Sequence, residues 1–290
     1  MTTPTFRLVL PTFPFSSCLK ELRAQYSFAF RAAGYSVTLS DQYLQPGEQG
    51  EDYQVAFGAH VIQPPKMPDD HSGPDPRLII AQSEHHLHWF TGEYVDAYWN
   101  ARLIMNMGPF SASLADGFEG ITVQCEPGIM PLDEVSDLSP LHYWPFGDDS
   151  EGDLARRERD IQVLFYGSIN ARRAAILAPL QAAGIDVVAL YSVFGAKRDA
   201  YIDRAQVVLD LKQQGDEPDD QTRAWWPLSR GACVLSENAP RGSLAHVTPE
   251  TVLDSVRTAL EPVWNRRARE QYCTVLGACD VTPVLRALGL

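Results

Sequence analysis

Short apolar runs alternate with segments of helical hydrophobic spacing in the second half of the chain, most clearly in residues 160–210. Each run is six or seven residues long, as expected of a buried strand, and residues 170–183 between two of them carry apolar side chains three and four positions apart. The predicted strands of this stretch are residues 161–166, 185–191 and 205–211. Strands and helices in alternation predict a parallel, doubly wound sheet with right-handed crossovers.

The first half of the chain shows the same alternation with one clear helix. Apolar spacing predicts that helix at residues 18–33, and Gly34 is placed to end it. Two polar segments break the pattern: residues 61–76 are typical of a binding loop or lid, and the proline-rich, acidic residues 126–159 are typical of a hinge. Further strands are predicted at residues 5–10, 35–39, 53–60, 77–82, 103–105 and 122–125. We therefore predict two α/β domains joined by the hinge.

Charge is distributed unevenly between the two halves. Residues 1–150 hold 19 acidic and 7 basic residues, a net charge of −12, whereas residues 151–290 hold 18 and 17, a net charge of −1. The second half is therefore suited to a small polyanionic ligand. The first half is not suited to lie along a phosphate backbone, which disfavours nucleic acid as a partner.

Composition narrows the class of protein further. No apolar run reaches the roughly 20 residues that a membrane helix needs, and the N-terminus lacks the basic start of a signal peptide. The five cysteines are scattered without zinc or disulfide spacing, which fits reduced thiols in a cytoplasm. We expect no membrane span and a cytoplasmic protein.

Two strand-to-helix turns in residues 160–210 carry the best candidates for chemistry. The first turn and the helix after it hold Gly167, Ser168, Asn170, Arg172 and Arg173. Backbone N–H groups at a helix start, a small hydroxyl and guanidinium groups suit an anion, and open α/β sheets bind ligands at this edge. The second turn, residues 192–198, is again small and basic. The alternative is that the glycines only allow tight turns and the arginines face solvent.

A histidine-rich segment in the first half offers a second candidate. In an extended segment, Glu84, His86 and His88 share one face, and two histidines with a carboxylate can hold a metal. No further ligand stands nearby in the sequence, so we predict no metal site. We favour a segment that lines the interdomain cleft and supplies a base.

Common catalytic and nucleotide motifs are missing from the sequence. It has no Gly-x-Ser-x-Gly elbow, no Gly-x-x-x-x-Gly-Lys-Ser/Thr loop and no Gly-x-Gly-x-x-Gly fingerprint. The anion site is therefore of another kind, built from one glycine and arginines. Asp220, at the start of a predicted helix, either caps that helix or accepts hydrogen bonds from ribose hydroxyls.

Three stretches of the second half stand out together: DIQVLFYGSINARR at 160–173, VFGAKRDAYIDRAQVVLDL at 193–211 and DQTRAWWPLSRGACVLSE at 220–237. Through these stretches the second half resembles the donor-binding domain of GT-B glycosyltransferases, and it is most similar to bacterial and phage glycosyltransferase family 1-like proteins. The first half matches more weakly, through IIAQSEHH at 79–86 and HYWPFGDD at 142–149.

The resemblance implies two Rossmann-like, doubly wound domains that face each other across a cleft. Residues 1–143 would form the acceptor-side domain and residues 144–265 the nucleotide-sugar donor domain, with a helical segment at 266–290 packing back on the first. The implied activity is transfer of a hexose or pentose from a nucleotide-diphosphate sugar to an acceptor hydroxyl. It would need neither a metal nor a cofactor beyond the donor, and would take place in a cytoplasm, or the host cytoplasm for a viral protein.

The resemblance also implies roles for single residues. The donor-binding residues would be Gly167, Ser168, Asn170, Arg172, Phe194, Gly195, Lys197, Asp220, Thr222 and Arg223. Phe194 and Gly195 would flank the base or the sugar, and Asp220 would meet the ribose. Members of the family usually have Glu in place of Asp220, so the carboxylate reaches less far in this chain.

The base that takes the acceptor proton would come from the first domain, with Glu84 as first choice and His60 as second. Two alternatives stand beside this activity. One is a phage DNA glycosyltransferase that acts on hydroxymethylated bases, which the acidic first half disfavours. The other is a non-catalytic module that binds a nucleotide or a sugar.

Overall fold

The computed structural model describes residues 3–13, 16–45, 47–59, 64–65, 75–82, 101–106, 121–125, 159–215, 222–230, 232–238, 245–261 and 280–290. The chain divides into two compact units, Met1–Pro127 with Cys279–Leu290, and Gly128–Ala278. Among the described residues, each unit contains one parallel sheet, which confirms the predicted α/β class. The predicted boundary between residues 143 and 144 lies outside the described residues and stays a prediction.

Eleven strands and six α-helices lie within the described residues. The strands are β1 (Thr5–Val9), β2 (Ser36–Ser40), β3 (Tyr53–Phe57), β4 (Asp75–Gln82), β5 (Ala101–Asn106), β6 (Ile121–Gln124), β7 (Ile161–Tyr166), β8 (Val187–Leu190), β9 (Ala205–Asp210), β10 (Cys233–Ser236) and β11 (Ala245–His246). The helices are α1 (Lys20–Ala32), α2 (Ala171–Ala182), α3 (Gly195–Arg204), α4 (Thr222–Ser229), α5 (Val252–Ala259) and α6 (Thr282–Leu288), with a 3₁₀ turn at Ser16–Leu19 ahead of α1.

The two sheets share one strand order. The first runs β2-β1-β3-β4-β5-β6 and the second β8-β7-β9-β10-β11, and all described pairings are parallel. In both sheets the chain crosses to one side after the first strand and to the other side after the second. The strand order therefore reverses between β1 and β3, and again between β7 and β9. Ligands of open α/β sheets bind at the carboxyl ends of the strands beside such a point.

The core of the first unit lies on one face of its sheet. Alternate residues of each strand point to this face, and α1 covers it with Tyr26 and Phe30, both fully buried. The ring of Phe6 stacks on that of Phe30, with 4.4 Å between their centres. The opposite face carries a smaller apolar cluster that includes Ile80 and Ile104. This is the arrangement expected of a sheet buried on both faces.

Helix α6, at the end of the chain, packs into the same core of the first unit. Val284 and Leu288 belong to the apolar cluster that contains Phe6, and the thiol of Cys125 donates a hydrogen bond to the carbonyl of Asp280 at 3.2 Å. The end of the chain is thus part of the first unit, although most of the residues before it belong to the second.

Replacing Leu288 with alanine tests how much this helix stabilises the first unit. The leucine is buried, so the variant should lose about 2–4 kcal/mol of unfolding free energy in urea denaturation, because a cavity replaces the side chain. Arg286 lies exposed on the same helix, and Arg286→Ala should change the unfolding free energy by less than about 0.5 kcal/mol. Equal losses in the two variants would contradict the packing of α6.

In the second unit, polar contacts join α3 to α4. The indole N–H of Trp226 donates to Asp199 at 2.9 Å, and Arg230, just after α4, forms an ion pair with Asp203 of α3. Helices α2 and α5 contact each other, as expected if right-handed crossovers place them on the other face. The sequence-based strand at residues 161–166 is confirmed without change, whereas β11 was not predicted because it is only two residues long.

Arg159 corrects the predicted extent of the hinge. Its guanidinium group is buried and donates to the carbonyls of Ala205 at 2.6 Å and Arg230 at 3.1 Å. Burial lowers the pKa of Arg159 to about 10. Residue 159 is therefore anchored in the second unit rather than forming the end of a hinge.

Candidate functional site

The turn after β7 lies where the strand order of the second sheet reverses. Gly167 ends the strand, and its N–H donates to the carbonyl of Leu190 at 2.9 Å. Its φ of +142° is a conformation that favours glycine, and a Cβ added there would lie 3.1 Å from Nη2 of Arg223. The glycine thus gives the turn its shape and lets a guanidinium group approach the backbone.

Gly167→Ala should therefore lower stability more than a glycine-to-alanine substitution does where the added Cβ meets no neighbour. The variant combines backbone strain of about 1–2 kcal/mol with a contact that displaces Arg223, and we expect lower stability together with weaker anion binding. Gly184 also has a positive φ, of +77°, but an added Cβ would meet nothing within 4 Å. Gly184→Ala is therefore the control: it should lose stability in thermal melts yet keep anion binding, and equal anion affinities in both variants would refute this role of Gly167.

Asn170 begins α2 and fixes the turn after β9. Its Oδ1 accepts a hydrogen bond from the N–H of Arg173 at 2.9 Å, which caps the helix. Its Nδ2 donates to the carbonyl of Gln213 at 2.6 Å. Because both polar atoms of the amide make these bonds, Asn170 connects the turns that follow β7 and β9.

Arg173 holds the same two turns together from inside the protein. Only 4% of its surface is exposed, and its guanidinium group donates to the carbonyls of Ser168 at 2.9 Å, Leu211 at 2.6 Å and Lys212 at 3.1 Å. The group also lies over the ring of Phe165, 5.4 Å from its centre. Arg173 was part of the predicted anion turn, but the sequence did not reveal that its donors are used by the backbone.

Arg172 forms a two-point ion pair with Glu237. Its Nη1 donates to Oε2 at 2.8 Å and its Nη2 donates to Oε1, and the same Oε2 accepts the N–H of Lys212 at 2.9 Å. The side chain of Glu237 is 4% exposed and that of Arg172 is 26% exposed. A buried carboxylate therefore balances the charge of Arg172, although the Arg172 side chain itself is only partly buried.

Arg223 lies across the turn from the other side. Its Nη2 donates to the carbonyl of Tyr166, and the hydroxyl of Tyr166 donates to the carbonyl of Arg223 at 3.1 Å. Its guanidinium carbon lies 5.5 Å from the centre of the Tyr166 ring. Within the described residues, Arg223 has no carboxylate partner, and the Tyr166 carbonyl is the one hydrogen-bond acceptor of its guanidinium group. Among the described residues, no other group accepts a hydrogen bond from this guanidinium group, which lies beside Gly167.

The second predicted turn follows β8, the strand next to β7. Phe194 precedes α3 in an extended conformation, Gly195 begins the helix with a φ of +57°, and Lys197 is exposed in its first turn. Ser192 has a φ of +54°, which is unusual for a residue other than glycine, and Tyr191 is 69% exposed. Over the described part of the chain, Lys197 has no ion-pair partner. The carboxyl edge of the second sheet thus carries two cations, Lys197 and Arg223, that form no ion pair with a carboxylate of the described residues.

A buried polar cluster supports the same edge at β9 and β10, and no pattern in the sequence predicts it. Oδ2 of Asp210 accepts hydrogen bonds from the hydroxyl of Ser236 at 2.7 Å and from Nδ2 of Asn238 at 2.6 Å. The N–H of Glu237 donates to the carbonyl of Asp210 at 2.9 Å. The cluster fixes the backbone of Glu237, the partner of Arg172.

Several predicted site residues lie outside the described residues. These are Glu84, His60 and Asp220, together with the side chain of Thr222 and the histidines at 85, 86 and 88. In the part of the chain that the structure describes, no group of three or more His, Cys, Asp or Glu side chains is placed to hold a metal. A search of the same residues finds no helix with the length and apolar character to cross a membrane.

No model of a known protein family matches the sequence, and no curated protein matches it. Solved structures do match in fold. An alpha-glucosyltransferase in complex with UDP and a 13-mer DNA containing an HMU base matches with a TM-score of 0.63 and 8% identity, over 100% of both chains. HepE from Anabaena, in complex with UDP and glucose, matches with a TM-score of 0.53 and 12% identity, over 99% of this chain and 98% of its own. At these identities the likeness shows the fold alone, and it confirms the predicted GT-B fold.

Proposed function

We propose that this protein is a glycosyltransferase that moves a hexose or pentose from a nucleotide-diphosphate sugar to an acceptor hydroxyl. The observation that carries the proposal is the placement of Arg223. Its guanidinium group lies beside Gly167, where the strand order of the second sheet reverses, and no described carboxylate balances its charge. An anionic ligand at that edge would meet an available cation where α/β sheets bind nucleotides.

The chemistry needs little from the protein beyond charge and position. When the bond to the anomeric carbon breaks, negative charge develops on the departing diphosphate, and fixed cations stabilise that charge. We assign most of this charge stabilisation to Arg223 and Lys197. Arg172 contributes less, because Glu237 already balances its charge. These two cations could neutralise the charge on the diphosphate in place of a divalent metal. We therefore propose a reaction that needs no metal.

The remaining roles rest on the sequence. We propose that Glu84, or else His60, takes the proton of the acceptor hydroxyl, and that Asp220 accepts a hydrogen bond from the ribose. Thr222 is proposed to donate its hydroxyl to the diphosphate, since it stands directly before Arg223 at the start of α4. We also propose a cytoplasmic location, because the five scattered cysteines fit reduced thiols.

DNA is the second candidate acceptor. The alpha-glucosyltransferase with which this chain shares its fold was solved with a 13-mer DNA. The net charge of −12 over residues 1–150 opposes such an acceptor, because a phosphate backbone is attracted by basic surfaces. We therefore propose a small acceptor and keep DNA with hydroxymethylated bases as the alternative.

The test is release of nucleoside diphosphate from a panel of nucleotide sugars, measured with and without EDTA. We expect one donor to be consumed, with an unchanged rate in EDTA, and the acceptor is then sought in separate reactions with small hydroxyl compounds and with hydroxymethylated DNA. Glu84→Gln should keep donor binding and lose turnover. Binding of a nucleotide without consumption of any donor would favour the non-catalytic module instead.

A further inference from the structure

A polar cavity lies in the first unit, outside the residues discussed so far. It has a volume of about 470 Å³ and opens at the carboxyl ends of β1 and β2. Its polar lining consists of Thr12, Ser16, Lys20, Arg23, Ser40 and Asp41. Volumes of roughly 300–1,000 Å³ are usual for small-molecule sites, so this cavity has the size of a small ligand or of part of one.

Cations are concentrated in this cavity although the first half of the chain is acidic. Residues 1–150 contain 7 basic residues, and Lys20 and Arg23 are two of them. They lie three positions apart in the first turn of α1, so both side chains are on one face of the helix. The one carboxylate of the lining, Asp41, forms no ion pair within 4 Å with a described residue. The lining therefore carries a net positive charge.

Arg23 is half-buried, and its guanidinium group makes one hydrogen bond to the described residues. Its Nη1 donates to the carbonyl of Ser40 at 3.0 Å, and no other hydrogen bond joins its guanidinium group to the described residues. Burial lowers the pKa of Arg23, and the nearby charge of Asp41 opposes that change only in part. A half-buried guanidinium group with unused N–H groups gains stability from an anion that enters the cavity.

The hydroxyl groups of the lining are also available. Neither Thr12 nor Ser16 uses its side-chain oxygen in a hydrogen bond to a described residue. Ser40 differs, because its hydroxyl already accepts from Arg7 at 2.9 Å and donates to the carbonyl of Gln42 at 2.9 Å. Counting contacts with the described residues alone, the lining holds one ammonium, part of one guanidinium and two hydroxyls as unused donors, against the single carboxylate of Asp41. Such a set matches a compact oxyanion.

We propose that this cavity binds a compact anionic group, a phosphate or a carboxylate, on the acceptor of the reaction. The inference rests on the proposed function and names the acceptor class: a small hydroxyl compound that carries one such group. A nucleic acid fits less well, because the cavity holds one group while the surrounding unit is acidic and repels a chain of phosphates.

The test is a titration of the labelled protein with inorganic phosphate and, separately, with acetate, followed by ¹⁵N–¹H spectra at constant ionic strength and at a saturating concentration of the nucleoside diphosphate that the protein prefers. Filling the nucleotide site first keeps phosphate away from it. We expect saturable shifts confined to the amides of Thr12, Ser16, Lys20 and Asp41. Lys20→Met and Arg23→Met should each weaken phosphate binding at least tenfold. Arg31, exposed near the end of the same helix, is the control, and Arg31→Met should leave binding unchanged.

Each outcome decides the inference. Linear shifts that do not saturate, or equal phosphate affinity in Lys20→Met and the native protein, would overturn it. Lys20 is exposed, so its variant stays folded even if Arg23→Met does not. Saturable binding of acetate or phosphate would support the site. The ion that binds more tightly would then indicate whether the acceptor carries a carboxylate or a phosphate. Failure of the native protein to bind any nucleotide would instead overturn the proposed function, while shifts of the amides of Thr12, Ser16, Lys20 and Asp41 on addition of phosphate alone would still report on the cavity.

Discussion

Arg173→Met should lower the free energy of unfolding by about 3–4 kcal/mol. The native guanidinium group is buried and donates to the carbonyls of Ser168, Leu211 and Lys212. Methionine removes these bonds, while the Lys212 carbonyl keeps the bond from Nη1 of Arg172 at 2.9 Å. Each buried polar group that loses its partner costs about 1–3 kcal/mol, and partial access of water to the turns reduces the sum. Urea denaturation followed by tryptophan fluorescence measures the loss.

The matched control for this prediction is Arg204→Met. Arg204 pairs with Asp160, but both side chains are about half exposed, at 52% and 51%, so the pair contributes little. The same substitution there should leave the unfolding free energy nearly unchanged. Equal losses at the two positions would mean that Arg173 does not hold the turns after β7 and β9 together.

Arg223→Met should weaken nucleoside diphosphate binding by about 10- to 100-fold. The variant removes the guanidinium group that lies 3.1 Å from the Cβ position of Gly167 and that has no described carboxylate partner. Charge-assisted hydrogen bonds to a phosphate contribute about 1.5–3 kcal/mol, and 1.4 kcal/mol is a factor of ten in affinity. Calorimetric titration measures the change.

Two further variants separate charge from geometry at this position. Arg223→Lys keeps the charge but loses the planar fork, so its affinity should fall between those of the native protein and Arg223→Met. Arg204→Met removes an exposed arginine whose charge Asp160 balances, and it should bind the nucleotide as the native protein does. Native-like affinity in Arg223→Met would move the anion site away from the turn after β7.

The sequence was sufficient to predict the α/β class and most strands, for clear physical reasons. Strand β7 is mostly buried, so residues 161–166 stand out as a largely apolar run and were predicted with their observed bounds. Gly184, directly after the C-cap of α2, ended the predicted helix within one residue of its observed end. Apolar runs and glycines at helix ends are local features, so a single sequence is enough to detect them.

The site was only partly predictable, because its geometry depends on contacts between distant residues. The sequence places Arg172 and Arg173 side by side and cannot tell which one turns inward to the backbone and which one meets Glu237, 65 positions away. The pairing of Asp210 with Ser236 and Asn238 likewise joins two strands. The turn itself was signalled by Gly167, but the approach of Arg223 to that glycine follows from the docking of α4 and from no local pattern.

The central claim is that the carboxyl edge of the second sheet binds a nucleotide donor without a metal. Thermal unfolding of the native protein with a panel of nucleoside diphosphates and nucleotide sugars, with and without EDTA, tests it most directly. We predict that one base is preferred and that it stabilises the protein by about 2.7 kcal/mol at one hundred times its dissociation constant, equally in EDTA. No stabilisation by any nucleotide, or stabilisation that EDTA abolishes, would contradict the account.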